Sequence, residues 1–140
     1  MKKQQTQKIL LLISFVFLIF NSTAQVLKFK VTSVSFKSYD EINQKWEDWT
    51  NVEEVDILGV MDVDNGRIKI YSDTEQTYDI IESKGTRTDS DGDDIFEWVC
   101  INEEALKCGV RLVTLNSQES RKQLYVDFSN FLFSGLEDYL

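Results

Sequence analysis

Cys100 and Cys108 are the first residues whose type and spacing could support chemistry. They lie at the end of one predicted strand and the start of the next, where antiparallel pairing can bring two side chains to disulfide distance. The N-terminal segment predicts export, and an oxidising compartment favours a disulfide over the alternative of two buried thiols. A redox site is disfavoured because the chain has no Cys-x-x-Cys motif and only Lys107 adjoins a cysteine as a basic neighbour.

The acidic run 89–94 could supply oxygen ligands to a hard cation. Alternating carboxylates around a glycine are typical of calcium loops. The EF-hand pattern requires Gly at the sixth position and Glu at the twelfth, whereas, counted from Asp89, Gly92 is fourth and Cys100 is twelfth. Asp89, Asp91 and Asp93 are therefore weak candidate calcium ligands, and a solvated turn between two strands is the favoured interpretation.

Trp46 and Trp49 are candidate contacts for a partner. Their positions differ by an odd number, so on a regular strand they would face opposite sides and one would lie outside the core. An exposed Trp is typical of a contact surface, whereas core packing is the alternative for both.

Catalytic chemistry finds little support in the sequence. The chain has no His, which excludes His-containing triads, His-ligated zinc or haem, and the commonest general base. Carboxylates occur as the neighbours Glu53-Glu54, Asp93-Asp94 and Glu103-Glu104, but a glycosidase needs two carboxyls held roughly 5–10 Å apart across a cleft. No phosphate-binding glycine loop or nucleophile elbow is present. We therefore predict no catalytic residue and no cofactor, with a carboxylate hydrolase as a remote alternative.

Residues 1–24 have the pattern of a signal peptide. Three Lys precede the apolar run Ile9–Phe20, and small residues at Ser22 and Ala24 suit cleavage after Ala24. The run is too short to span a bilayer core of about 30 Å, although an uncleaved anchor is the alternative. We expect an exported protein, periplasmic or extracellular, with no stable membrane anchor after cleavage and with one domain over residues 25–140.

The composition limits the partners. The chain has 15 Lys and Arg against 24 Asp and Glu, and removing the three Lys of the signal peptide leaves 12 − 24 = −12. Such a charge disfavours nucleic-acid binding, which depends on clustered cations, and favours encounter with a cationic partner. The apolar fraction of 42% supplies one globular core.

The region after the signal peptide is dominated by alternation typical of half-buried strands. In the first strand the apolar residues Leu27, Phe29 and Val31 are followed by Val34 and Phe36, so the alternation changes parity. One extra residue in a strand produces such a change, which predicts a β-bulge between Val31 and Val34.

The Asn65-Gly66 dipeptide predicts a two-residue type I′ hairpin. In that register Val63 faces Ile68 and Met61 faces Ile70. Further strands are predicted at Val55–Val63, Arg67–Tyr71, Thr77–Ser83, Ile95–Ile101, Cys108–Leu115 and Gln123–Phe128. A loop is predicted at Lys84–Asp94, a helical turn could follow Ile101, and the tail Phe131–Leu140 could add a strand or a turn of helix.

About eight short strands without a long helical pattern predict an all-β antiparallel meander, closed as a barrel or packed as a sandwich. The favoured function is a non-catalytic interaction module for a cationic protein, such as an inhibitor of a basic enzyme. The alternative is a carrier that holds a small apolar ligand inside a calycin-like barrel, in which ligand uptake would quench Trp98.

Overall fold

The computed structural model describes residues 26–139, which form strands and turns without any helix. The predicted signal peptide lies outside these residues. Within this range no helix is long and apolar enough to cross a membrane. The strands are β1 Val26–Asp40, β2 Lys45–Trp46, β3 Glu53–Asp62, β4 Arg67–Tyr71, β5 Glu75–Thr88, β6 Asp94–Asn102, β7 Lys107–Leu115, β8 Arg121–Asp127 and β9 Phe131–Tyr139.

The strands form a closed antiparallel barrel. From β3 to β9 each strand pairs with the next one along the chain, and β1 pairs with both β3 and β9. Eight strands therefore complete the ring, and the short β2 pairs only with the end of β1. The predicted all-β meander is confirmed, and it is a barrel, in which closure pairs the sheet's two edges with each other.

The predicted bulge in β1 is confirmed. The pairing of β1 with β3 and with β9 shifts register between Val31 and Ser33 on both sides. Phe29 and Val31 before the shift and Val34 after it are all buried. The extra residue bends the longest strand of the barrel while keeping its apolar side chains inside.

The β3–β4 hairpin forms where it was predicted, but the predicted register is wrong. Met61 pairs with Ile68, and Gly59 pairs with Ile70. Because the pairing moves by two residues, the inward faces are preserved, and Met61, Ile68 and Ile70 are buried. Val63 leaves the ladder and is exposed in the turn.

The reason for the longer turn is a side-chain bond that the dipeptide rule does not include. The Asp62 carboxylate accepts hydrogen bonds from the backbone N–H of Asn65 at 3.1 Å and from its side-chain amide at 2.8 Å. The Gly66 N–H donates to the Val63 carbonyl at 3.0 Å, and Gly66 has a φ of 68°. These bonds stabilise a four-residue turn in place of the predicted two-residue turn.

The predicted loop Lys84–Asp94 is shorter than expected, because β5 continues to Thr88. The register of β5 against β6 shifts twice, between Ile80 and Glu82 and between Ser83 and Gly85. Such irregularities remove the period-2 pattern that identifies a strand in sequence. The link after Ile101 is a turn, not a helical turn, and the C-terminal tail forms β9.

Phe29 lies across Gly59 on the neighbouring strand β3. Phe29 is fully buried, and a Cβ atom at Gly59 would lie 2.1 Å from its ring. Gly59 is therefore required for close approach of the ring to the backbone.

We predict that Gly59→Ala lowers the free energy of unfolding by about 1–3 kcal/mol, because the Phe29 ring must move within a packed core. Gly109→Ala is the matched control, since its new Cβ would lie 3.8 Å from the nearest atom, an ordinary contact. The control should be neutral or stabilising by about 0.4–1 kcal/mol. Urea unfolding followed by Trp fluorescence measures both, and equal effects would contradict the account.

Candidate functional site

A cavity of about 280 Å³ lies at the end of the barrel where β1, β4, β6 and β8 finish. Its walls are mostly apolar side chains, and its mouth carries a few polar ones. The lining residues are Val34, Phe36, Glu53, Val55, Ile57, Ile70, Ser72, Gln76, Tyr78, Val126, Phe128 and Phe131.

The inward side chains along β1, β4 and β8 explain why the barrel is filled in one half and open in the other. The filled part contains the fully buried Val31, Ile68 and Leu124. The next inward residues towards the open end are Val34, Ile70 and Val126, which are buried and form the cavity floor. After them come Phe36, Ser72 and Phe128, of which the two Phe rings are only partly buried. The interior therefore ends in an apolar cup.

A chain of hydrogen bonds lines one wall of the mouth. The Tyr78 hydroxyl donates to Gln76 Oε1 at 2.6 Å, and Gln76 Nε2 donates to Ser72 Oγ at 3.1 Å. Ser72 Oγ in turn donates to the Thr74 carbonyl at 2.6 Å. Burial raises the pKa of Tyr78 above its ordinary value, so the phenol stays protonated in neutral solution. The hydroxyl hydrogens of Tyr78 and Ser72 are thus both used within the protein.

The charged groups around this mouth are acidic. Glu53 lines the cavity itself. Two more open depressions share Gln76 with it, and their carboxylates are those of Asp56, Asp73, Glu75, Glu103 and Glu104. Among the described residues, no Lys or Arg lines any of the three. Glu75 is neutralised by Lys69 at 2.7 Å, and Asp56 lies 3.0 Å from Lys30.

Comparison with known proteins adds no assignment: no protein-family model, curated protein or solved structure was found to match the chain. Eight-stranded barrels include ligand carriers as well as barrels with filled interiors. Since one fold serves many functions, the function here has to be argued from the cavity and its lining.

Cys100 and Cys108 face each other directly across β6 and β7. Both are buried, and the structure has them as free thiols, which was the stated alternative to a disulfide. Burial raises the pKa of Cys100 to about 12 and that of Cys108 to about 11, so neither forms a thiolate near neutral pH. The predicted juxtaposition is confirmed, whereas the disulfide itself stays a prediction.

The acidic loop is held by its own carboxylates. Asp89 Oδ1 accepts the backbone N–H groups of Asp91 and Asp93 at 2.9 and 3.0 Å. Asp93 is 7% exposed, and its carboxylate accepts the backbone N–H of Asn116 at 2.9 Å. Within residues 26–139, no group of three or more Asp, Glu, Cys or His side chains is placed to hold a metal ion. Asp89 thus stabilises its own loop, and Asp93 joins the β5–β6 turn to the β7–β8 turn.

The two candidate Trp residues lie on different parts of the molecule. Trp46, 39% exposed, contacts the Tyr39 ring edge-on at 5.5 Å in the β1–β2 hairpin. Trp49, 42% exposed, lies beyond β2 and contacts Tyr125 of β8 edge-on at 6.4 Å. Since Trp49 is outside regular strand structure, the parity argument does not apply to the pair, and both are half-exposed.

Trp49 and Tyr125 border a trough of about 350 Å³ on the outside of the barrel, which we call the outer trough. Its floor includes Ser35 and Ser134, which pair with each other between β1 and β9. Its charged lining residue is Arg121, and the Lys37 ammonium lies 5.7 Å from the Trp49 ring. The outer trough is therefore cationic, unlike the mouth of the cavity.

No single sequence motif indicated which residues line the cavity. Its residues come from six strands and their ends, and each was visible only as an apolar or polar position in its own strand. Trp98, the expected reporter of ligand uptake, does not line it and packs with Phe96 at 4.5 Å between ring centroids. Of the carboxylate pairs, Glu53 lines the cavity without Glu54, whereas the exposed Glu103 and Glu104 lie on one turn.

We predict that Asp93→Ala lowers the free energy of unfolding by about 1–3 kcal/mol, because it leaves the Asn116 N–H without its acceptor. Asp91→Ala removes an exposed carboxylate from the same loop and should stay within about 0.5 kcal/mol of the parent. Thermal unfolding with and without calcium completes the test. A calcium-dependent rise in Tm that Asp91→Ala abolishes would overturn this account in favour of a calcium loop.

Proposed function

We propose that this protein is a small-molecule carrier, which holds the apolar part of its ligand in the cavity at the open end of the barrel. The observation that supports this proposal is the apolar cup above Val34, Ile70 and Val126. An antiparallel barrel of eight strands is wide enough to hold one small ligand. A filled interior would have argued against a carrier.

The dimensions of the cavity agree with this role. Its volume of about 280 Å³ lies just below the roughly 300–1,000 Å³ found for ligand pockets, which restricts it to a small ligand. Apolar walls with a small number of polar groups at one side are the usual composition of such pockets. The ligand we propose is thus small, with an apolar body in the cup and a polar group at the mouth.

The proposed place of action is outside the cytoplasm, in a periplasm or the extracellular space. This part of the proposal depends on the signal pattern of residues 1–24. A barrel interior is suited to such a place, because it shields an apolar compound from water during transfer between compartments.

Recognition of a cationic protein through Trp46 or Trp49 is a second proposal. The half-exposed Trp49 beside the outer trough supports a contact surface there. The cations Lys37 and Arg121 at that trough do not complement a basic partner, which is why we place this function second. It predicts binding to a basic protein such as a lysozyme that weakens steeply with salt and is lost in Trp49→Ala. Affinity independent of salt would contradict it.

We predict that the neutral apolar dye N-phenyl-1-naphthylamine binds the parent protein and that Val55→Phe weakens binding by at least about tenfold, or about 1.4 kcal/mol. The added ring occupies cavity volume beside Val55. Val63→Phe is the matched control, because Val63 lies in the β3–β4 turn at the opposite end of the barrel.

Fluorescence titration measures the dye affinity, and thermal unfolding checks that both variants fold. The carrier proposal requires that Val63→Phe bind like the parent. If Val55→Phe, although folded, bound the dye as tightly as the parent, the dye would lie elsewhere and the proposal would be wrong.

A further inference from the structure

We propose that the ligand is an organic cation, with an apolar body in the cup and a protonated amine at the mouth. This inference rests on the proposed carrier function and names the class of its ligand. It follows from the hydrogen-bonding capacity of the mouth and from the charges around it.

The polar groups at the mouth offer mainly acceptors. The hydroxyl hydrogen of Tyr78 is donated to Gln76, and that of Ser72 is donated to the Thr74 carbonyl. Both oxygens keep acceptor capacity after donating. Glu53 contributes a carboxylate, which when ionised accepts hydrogen bonds and has none to donate. An ammonium group, with three donors and no acceptor, complements these oxygens better than a carboxylate, which has no hydrogen to donate.

The charges around the mouth also favour a cationic ligand. Glu53 lines the cavity, Asp73 lines the adjoining depression, and Glu103 and Glu104 line the third. A cleft with apolar walls and charges of one sign concentrates the field at its entrance and attracts the opposite charge. A cationic amphiphile is therefore stabilised twice, by contact of its apolar body with the cup and by attraction of its ammonium group to the carboxylates at the mouth. An anion would be repelled by the same carboxylates.

The outer trough is a natural comparison within the same molecule. It has aromatic and polar walls, but its charged lining residue is Arg121. The acidic lining at the mouth is thus not shared by every depression on the surface of the barrel.

The test compares three ligands with one apolar chain: octylammonium, 1-octanol and octanoate, each displacing N-phenyl-1-naphthylamine at neutral pH. We expect octylammonium to bind about fivefold more tightly than octanol, the size of an exposed ion-pair effect, and octanoate to bind most weakly. This preference should decrease as salt is added, because the carboxylates are exposed to solvent.

Two variants assign the preference to the mouth. Glu53→Gln should reduce the ratio of octylammonium to octanol affinity about threefold or more. Glu54→Gln removes the same charge from the next residue of β3, which points to the other face of the strand, and should leave the ratio much closer to the parent value.

The outcomes separate this inference from the carrier function. Equal binding of all three ligands, or tightest binding of octanoate, would overturn the cationic class while the carrier function stands. An equal effect of Glu53→Gln and Glu54→Gln would overturn the role of the mouth. If neither the dye nor any of the three ligands bound, the carrier function would fail, and this inference with it.

Discussion

The pairing of β1 with two strands is the constraint on which the rest of the structure depends. β1 pairs with β3 along one edge and with β9 along the other, which joins the first and last strands of the meander. The bulge between Val31 and Ser33 occurs in both pairings, so the strand bends without exposing its apolar side chains. Without this closure the interior would be one face of an open sheet, and no enclosed cavity could form.

Closure also determines how the interior is divided. Phe29 fills the closed half because Gly59 on the paired strand leaves room for its ring. Towards the other end, the inward positions on β4 and β8 continue to Ser72 and Phe128, which leave the barrel axis unfilled. The cup is therefore built by the choice of residue at the last inward position of each strand, while the packed half supplies stability.

Sequence patterns predicted the all-β meander, the parity change in β1 and the facing positions of Cys100 and Cys108, because each depends on neighbours along one strand or on one pair of strands. They failed in two places. The Asp62 carboxylate stabilised a longer β3–β4 turn than the dipeptide predicts, and the register shifts near Gly85 removed the alternation by which the second half of β5 could have been identified. Whether the interior was filled could not be predicted, since that depends on side-chain volumes summed over strands whose register was unknown.

The acidic residues of the chain differ in whether they are bonded within the protein or exposed near the cavity mouth. The excess of acidic residues, 24 Asp and Glu against 15 Lys and Arg, by itself suggested a cationic macromolecular partner. In the structure, part of that charge is used internally: Asp93 accepts the Asn116 N–H, and Asp127 forms a bidentate pair with Arg111 that also covers the Tyr125 ring. Around the cavity mouth, Glu75 and Asp56 are paired with lysines, and the carboxylates that can act at a distance are those of Glu53, Asp73, Glu103 and Glu104. The same composition therefore argues less for a protein partner of opposite charge than for selection at the entrance to the barrel.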